Sequence, residues 1–387
     1  DGFPAVLLAA NERYFRDPDV DGVALVEVSE AFDTDIGAER PGLDGDWLYS
    51  HVRPASLAAL AEVYARSTDT ATLEAAGGSA RWEHGQMLTA GFTDAAYDED
   101  EAGRHFHHTI SVRDVPELRG WEVRDDGDLE IRAATPVGAL LTIASTLAGR
   151  ADGAPHSPAL HALATQVRYF ANENVRHTGS VGGGLVSCHQ LSDMVPVWVA
   201  LDARVDLLSH TRGARTVPVR ELIDVDAARL DLGPGEIVVT IVLPPRDPDR
   251  FVAETFKQAI RRTDSMALVS AAMTADRDPD GSLHDVCLAF GGLGAPGLRA
   301  RGTEAALEGF AVGGDAERVL DGLRDEIGAI NVRELPADMR DYQRRVAAGF
   351  LQRFLHMATP EPDRFEDTGR LAQPPVRGRQ SFTEELV

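Results

Sequence analysis

Apolar residues fall at helical spacing after Ser56, where Leu57, Leu60, Ala61 and Tyr64 share one face and Ser56 offers an N-cap hydroxyl. The same period returns after Pro136, through Val137, Leu140, Leu141, Ala144 and Leu147. It returns again through Leu160, Leu163, Ala164, Val167 and Phe170, with Ser157 expected to cap and Pro158 to sit in the first turn. Strands are predicted at Thr109–Val112, at Leu129–Ala133 and at Glu236–Leu243, the last rich in β-branched residues and stopped by Pro244-Pro245. Arg204–Leu208 and Arg215–Val219 read as a hairpin. Beyond the Pro- and Asp-rich 244–250 segment, strands are expected near Ala253–Phe256, Leu268–Met273 and Asp285–Phe290. Helices then follow at Ala316–Ile327, capped by Asp315, and after Asp338, with Met339, Tyr342, Val346, Phe350 and Phe354 turned inward.

These runs divide the chain into an acidic, turn-rich arm or linker at 1–50 and a first domain at 51–243, with subdomains of about 51–108 and 109–243. A C-terminal domain at 251–356 and an extended tail at 357–387 complete it. Ala75–Ser79 reads as a strand running into a turn, and residues 83–108, polar and acidic, as an exposed loop, flap or lid.

The least ordinary stretch is Asn172–Asp193, which carries Gly182, Gly183 and Gly184 in a row. Glycines permit positive φ and close approach of main-chain N–H groups, so a turn here could cradle a phosphate or pyrophosphate. A purely structural turn explains the same residues.

Charge narrows the partners. With 38 Lys and Arg against 62 Asp and Glu, the formal net charge is −24, which argues against nucleic acid and against an anionic membrane surface. No apolar run is long enough to predict a membrane span, and the first residues lack the basic start of an export signal. Two cysteines, Cys188 and Cys287, cannot build a four-thiolate cluster and suit a reducing compartment, so a cytoplasmic location is expected.

Catalytic signatures are sparse. Cys188 and His189 are sequence neighbours, which on a strand point to opposite faces and make a poor nucleophile–base pair. His105, His107 and His108 beside Glu99, Asp100 and Glu101 lack the spacing of a zinc site and read as a solvated loop.

Taken together, Asn174-Val175-Arg176, Thr178-Gly179-Ser180-Val181-Gly182-Gly183, Ser192-Asp193, Ser111–Gly120 and Ala133-Ala134-Thr135-Pro136 occur in a suggestive order. So do Phe256-Lys257-Gln258, Arg261–Ala267 and Phe290-Gly291-Gly292. Through these pieces, over roughly residues 50–355, the chain resembles the FAD-binding subunit or domain of the molybdenum hydroxylases, the family of xanthine dehydrogenase, aldehyde oxidase and carbon monoxide dehydrogenase. It departs from that pattern at Gly184 and at Ser187-Cys188-His189.

The resemblance implies an α+β fold in which two subdomains hold FAD, followed by a smaller α/β C-terminal domain. It implies two glycine loops on the cofactor, one a short apolar strand followed by a Gly-Gly-Thr/His-Ser type turn. Those loops map to Gly77, Gly78, Ser79 and Ala80, and to Thr178, Ser180, Val181, Gly182 and Gly183. Asp193 would anchor near the second loop, and Arg262 with Asp264 would approach the flavin edge. Further implied are partner subunits bearing molybdenum and iron–sulfur centres and a small-molecule electron acceptor. A self-contained flavin oxidase or dehydrogenase and a cofactor-free scaffold are the alternatives.

Overall fold

The computed structural model describes residues 23–28, 49–67, 86–93, 108–224, 229–233 and 235–359. A first sheet joins β1 (Val23–Val28), β2 (Tyr49–Pro54), β3 (Gln86–Thr89) and β4 (His108–Ser111) in the order β1-β2-β4-β3. Helix α1 (Leu57–Ser67) follows β2, and Ser56 caps it as predicted, its Oγ accepting from the Ala59 N–H at 3.2 Å. Two expectations are corrected here. Val23–Val28 pairs antiparallel with β2, so part of the supposed arm is a strand. Gln86–Thr89 runs parallel to β4 inside the segment read as an exposed loop, and Thr89 is buried.

The second sheet holds β5 (Trp121–Val123), β6 (Leu129–Arg132), β7 (Arg204–Ser209) and β8 (Gly213–Pro218), ordered around β11 (Glu236–Leu243) as β5-β6-β11-β7-β8. Its helices are α2 (Ala139–Leu147), α3 (Ser157–Tyr169), α4 (Glu173–Thr178), α5 (Val181–Ser187) and α6 (Val195–Ala200). Between β8 and β11, β9 (Ile223–Asp224) and β10 (Arg229–Leu230) form a short antiparallel pair. Ser157 is the first residue of α3 rather than its cap; His156 occupies that position, and no side chain caps the helix. The apolar stripe survives this shift, because Leu160, Leu163 and Val167 all reach the core.

After 244–250 the chain enters a separate antiparallel sheet, β12 (Phe251–Ala259), β13 (Ala267–Arg277), β14 (Leu283–Gly291) and β15 (Leu298–Arg299). One face is covered by α7 (Arg301–Leu307), α8 (Glu317–Ile330) and α9 (Ala337–Met357). The α9 face is rotated from the predicted one. Gln343, Ala347, Ala348, Leu351, Phe354 and Leu355 are buried, whereas Tyr342 is exposed. A fully buried glutamine hid the true register: Gln343 Nε2 donates to the Leu268 and Gly292 carbonyls, at 2.7 and 3.1 Å, and so bonds inside the core. The opposite face of this sheet shares a core with the second-sheet subdomain at 109–243, called the second domain below, where Ala253, Ala272 and Ala289 join Val195 and Val199 of α6. The architecture is a mixed α/β region of two sheets with their helices, followed by a smaller domain of one antiparallel sheet covered by helices. No helix among the described residues is long and apolar enough to cross a membrane.

His156 ties the start of α3 to the β5–β6 turn, its Nε2 lying 2.8 Å from the Gly127 carbonyl in a fully buried position. Desolvation holds its pKa below the ordinary 6.5, against the opposing pull of the Gly127 bond, Asp128 and Asp152. The unfolded chain therefore binds this proton first as the pH falls. Stability is fully present above about 6.5 and is lost below it. From pH 7 to 5 the urea midpoint of the unmodified chain should therefore fall relative to that of His156→Gln, which lacks this titration.

Candidate functional site

A cavity of about 200 Å³ opens between the first sheet with α1 and the second domain. Tyr64, Leu118, Phe170 and Ile237 give it apolar walls, and two main-chain segments, Ala90–Thr93 and Gly179–Gly184, meet at its rim. Their approach is backbone to backbone. A Cβ on Gly91 would lie 2.0 Å from the Thr178 carbonyl oxygen, so only glycine fits.

The glycine triplet is not the expected turn. It forms the first turns of α5, where the Ser180 Oγ accepts from Gly183 N–H at 3.0 Å as an N-cap. Gly182 is required for packing, since a Cβ there would sit 2.6 Å from the Ala133 Cβ. The main-chain N–H groups of Val181 and Gly182 donate to Thr135 and Ala133 carbonyls at 2.9 and 2.8 Å, and Gly184 N–H donates to Ser180 O at 3.0 Å. The amides of Val181–Gly184 are therefore consumed by the protein, and they form no free phosphate nest. Gly184 has room to spare, because a Cβ would meet nothing within 4 Å. Gly184→Ala is accordingly expected to stabilise by about 0.4–1 kcal/mol through reduced unfolded-state entropy, read as a raised urea midpoint.

Across the rim the situation reverses. The main-chain N–H groups of Gly91 and Phe92 make no hydrogen bond among the described residues, and Phe92 takes a left-handed φ of 57°. The buried Thr89 Oγ1 also lacks a partner among the described residues. Successive amides in such a kinked conformation make an anion-binding concavity. The predicted first loop, Gly77–Ala80, lies outside the described residues, as do Trp82, His105 and His107. Ala90–Thr93 had been assigned to the exposed 83–108 segment. The overlooked signal was the short apolar strand ending in Leu88-Thr89, followed by Ala90-Gly91-Phe92-Thr93.

Asp193 lies behind the wall formed by its neighbours Ser192 and Met194. Its Oδ2 meets Lys257 Nζ at 2.5 Å, both side chains being buried, and Lys257 Nζ also donates to the Tyr169 carbonyl at 3.0 Å. Burial pushes the Asp193 carboxyl up to about 6, and Lys257 only partly offsets the desolvation. Oδ1 is buried with no partner among the described residues. Lys257, 64 positions away in sequence, was not among the expected site residues.

Other expected positions serve the scaffold. Thr178 Oγ1 is turned to the Asn174 carbonyl at 2.5 Å. Arg176 is buried, and its Nη1 donates to Phe170 O at 2.7 Å, holding the turn before α4. Arg262 and Asp264 sit in the exposed β12–β13 connection and do not line the cavity. Cys188 is enclosed in the core at a left-handed φ of 44°, while His189 Nδ1 accepts from the Leu191 N–H at 3.1 Å. No group of three or more His, Cys, Asp or Glu among the described residues could hold a metal ion.

Two family profiles match the chain: the FAD binding domain in molybdopterin dehydrogenase over residues 49–246, and the CO dehydrogenase flavoprotein C-terminal domain over 254–358. Among whole proteins it is 30% identical to rice xanthine dehydrogenase over 256 residues, covering 65% of this chain and 18% of that one. It is 27% identical to indole-3-acetaldehyde oxidase of Arabidopsis thaliana over 287 residues, 71% of this chain and 20% of that one. The chain thus spans about a fifth of the length of these relatives. Among solved structures, carbon monoxide dehydrogenase from Hydrogenophaga pseudoflava aligns at a TM-score of 0.63 and 21% identity, covering 79% of this chain and 95% of that one. Quinoline 2-oxidoreductase from Pseudomonas putida aligns at 0.62 and 20%, with the same coverages. At these identities the structural likeness establishes the fold.

Proposed function

Because the chain belongs to the family of FAD-binding domains of molybdopterin dehydrogenases, we propose that it binds FAD between Ala90–Thr93 and Gly179–Gly184 and relays electrons for a molybdenum-hydroxylase-type enzyme. The observation that carries the reading is the pair of N–H groups at Gly91 and Phe92, which make no hydrogen bond among the described residues and line a largely apolar cavity together with the second loop. These residues fit a dinucleotide: amides and the Ser180 hydroxyl for a diphosphate, apolar walls for its planar ends. Bound flavin would supply transfer of two electrons together or singly. Tyr64 and Phe170 would exclude water from the ring system. Behind the Ser192–Met194 wall, Lys257 holds the Asp193 carboxylate in place and adds positive charge near the cavity.

The same reading includes partner subunits with molybdenum and iron–sulfur centres, an external small-molecule acceptor and a cytoplasmic setting. The two free, buried cysteines suit a reducing compartment. Consumption of the Val181–Gly184 amides favours the competing reading of a cofactor-free scaffold. Quantifying flavin released on denaturation of the purified chain decides between them. Stoichiometric FAD supports the relay, and a flavin-free chain that takes up none supports the scaffold. Ser180→Ala, which removes the cap and a hydroxyl at the rim, is expected to cost about 1 kcal/mol in a denaturation series and to lower flavin content.

A further inference from the structure

A second, larger cavity of about 810 Å³ lies between the second domain and the C-terminal sheet, and it shares no lining residue with the first. Its size falls within the roughly 300–1,000 Å³ of small-molecule sites. Most of the charges around it are neutralised in place. Asp202 takes both Arg220 and Arg246, the latter at 3.5 Å with its guanidinium 5.1 Å above the Phe251 ring. Glu304 takes Arg299 through two bonds of 2.9 and 2.7 Å and also accepts the Leu288 N–H. Glu308 is bonded to His284 at 2.8 Å.

Three lining charges remain without a side-chain partner among the described residues: the Arg301 guanidinium and the Asp276 and Asp285 carboxylates. Arg246 Nε, also in this wall, is buried and has no partner among the described residues. Cys287 also lines the cavity; burial pushes its thiol up to about 12, with Arg299, Arg220 and Arg301 pulling the other way and Glu304 adding to the rise. One cation and two anions that line a single space without a side-chain partner among the described residues, Arg301 and Asp285 exposed and Asp276 half-buried, define a ligand by charge complementarity.

From this arrangement we infer that the interdomain cavity binds a small basic amino acid, its carboxylate on Arg301 and its two ammonium groups on Asp276 and Asp285. The ligand's net charge of +1 balances the −1 of the three free groups. All three contact groups belong to the C-terminal domain, on β13, β14 and α7, and Val199 and Ala200 of α6 form a facing wall. The site is independent of whether flavin is bound.

Titration calorimetry of L-lysine into the full 387-residue chain tests the assignment. The expected result is saturable binding with a Kd of about 1 mM or tighter, and binding at least about tenfold weaker for cadaverine and 6-aminohexanoate. Arg301→Gln should erase the preference for lysine over cadaverine, and Asp276→Asn or Asp285→Asn should weaken lysine about tenfold. A lysine-induced rise in the melting temperature of the unmodified chain gives a readout that needs no variant. No saturable heat and no such rise would overturn the inference, and so would lysine binding that all three substitutions leave unchanged.

Discussion

Gly91→Ala should strip the chain of flavin while leaving most of the fold intact. The added methyl would stand 2.0 Å from the Thr178 carbonyl oxygen and 3.1 Å from Gly179 N, and neither is the end of a flexible side chain. Relief requires Ala90–Thr93 to move away from α4 and α5, opening the rim where Gly91 and Phe92, whose amides make no hydrogen bond among the described residues, line the cavity. Overpacking of this kind costs about 1–3 kcal/mol. Displacing a diphosphate-binding main chain by an ångström or more removes its hydrogen bonds altogether. Flavin absorbance per chain should therefore drop at least about tenfold, equivalent to about 1.4 kcal/mol of binding, with a modest fall in melting temperature. A variant that retained full flavin would show that Ala90–Thr93 is not at the cofactor.

Lys257→Met should destabilise the chain by about 3–5 kcal/mol at pH 8, because it leaves the Asp193 carboxylate buried without its cation. Acid should repair much of this. Already at about 6 with Lys257 present, the Asp193 carboxyl rises further once the ammonium is gone, so the folded variant takes up a proton that the unfolded chain refuses. For a carboxyl raised on folding, stability grows as the pH falls through the folded pKa, the reverse of the usual salt-bridged aspartate. Urea midpoints for the variant should therefore rise from pH 8 towards 5. Asp193→Asn combined with Lys257→Met should recover most of the loss at pH 8. Equal losses at both pH values would place the cost in lost packing rather than in the exposed charge imbalance.

Local signals were readable where one residue settled the matter. Ser56 before an apolar stripe gave α1, and the β-branched run ended by two prolines gave β11 to the residue. The glycine triplet misled because its meaning is set by contacts remote in sequence. Ala133 leaves no room for a Cβ at Gly182, and Ser180 caps, so residues that look like a loop instead begin a helix. Strand β3, which leads into the cavity rim, spans four residues between acidic, polar stretches, too short for periodicity to announce it. In α9 a buried glutamine broke the apolar pattern and turned the inferred face. The Asp193–Lys257 pair joins two domains and has no local signature at all. What the residues do not display in isolation is tertiary: which main chain meets which, and which charge is buried against which.

The central claim is that the Gly91 and Phe92 main chain, with the Ser180 hydroxyl across the cavity, holds the diphosphate of a dinucleotide. Fluorescence titration of the flavin-depleted chain with FAD and, separately, with riboflavin tests it most directly, because riboflavin carries the ring system without the diphosphate. The account predicts saturation at one FAD per chain and affinity for riboflavin weaker by at least about a hundredfold, or roughly 2.7 kcal/mol. Equal affinity for the two, or no uptake of FAD, would contradict it.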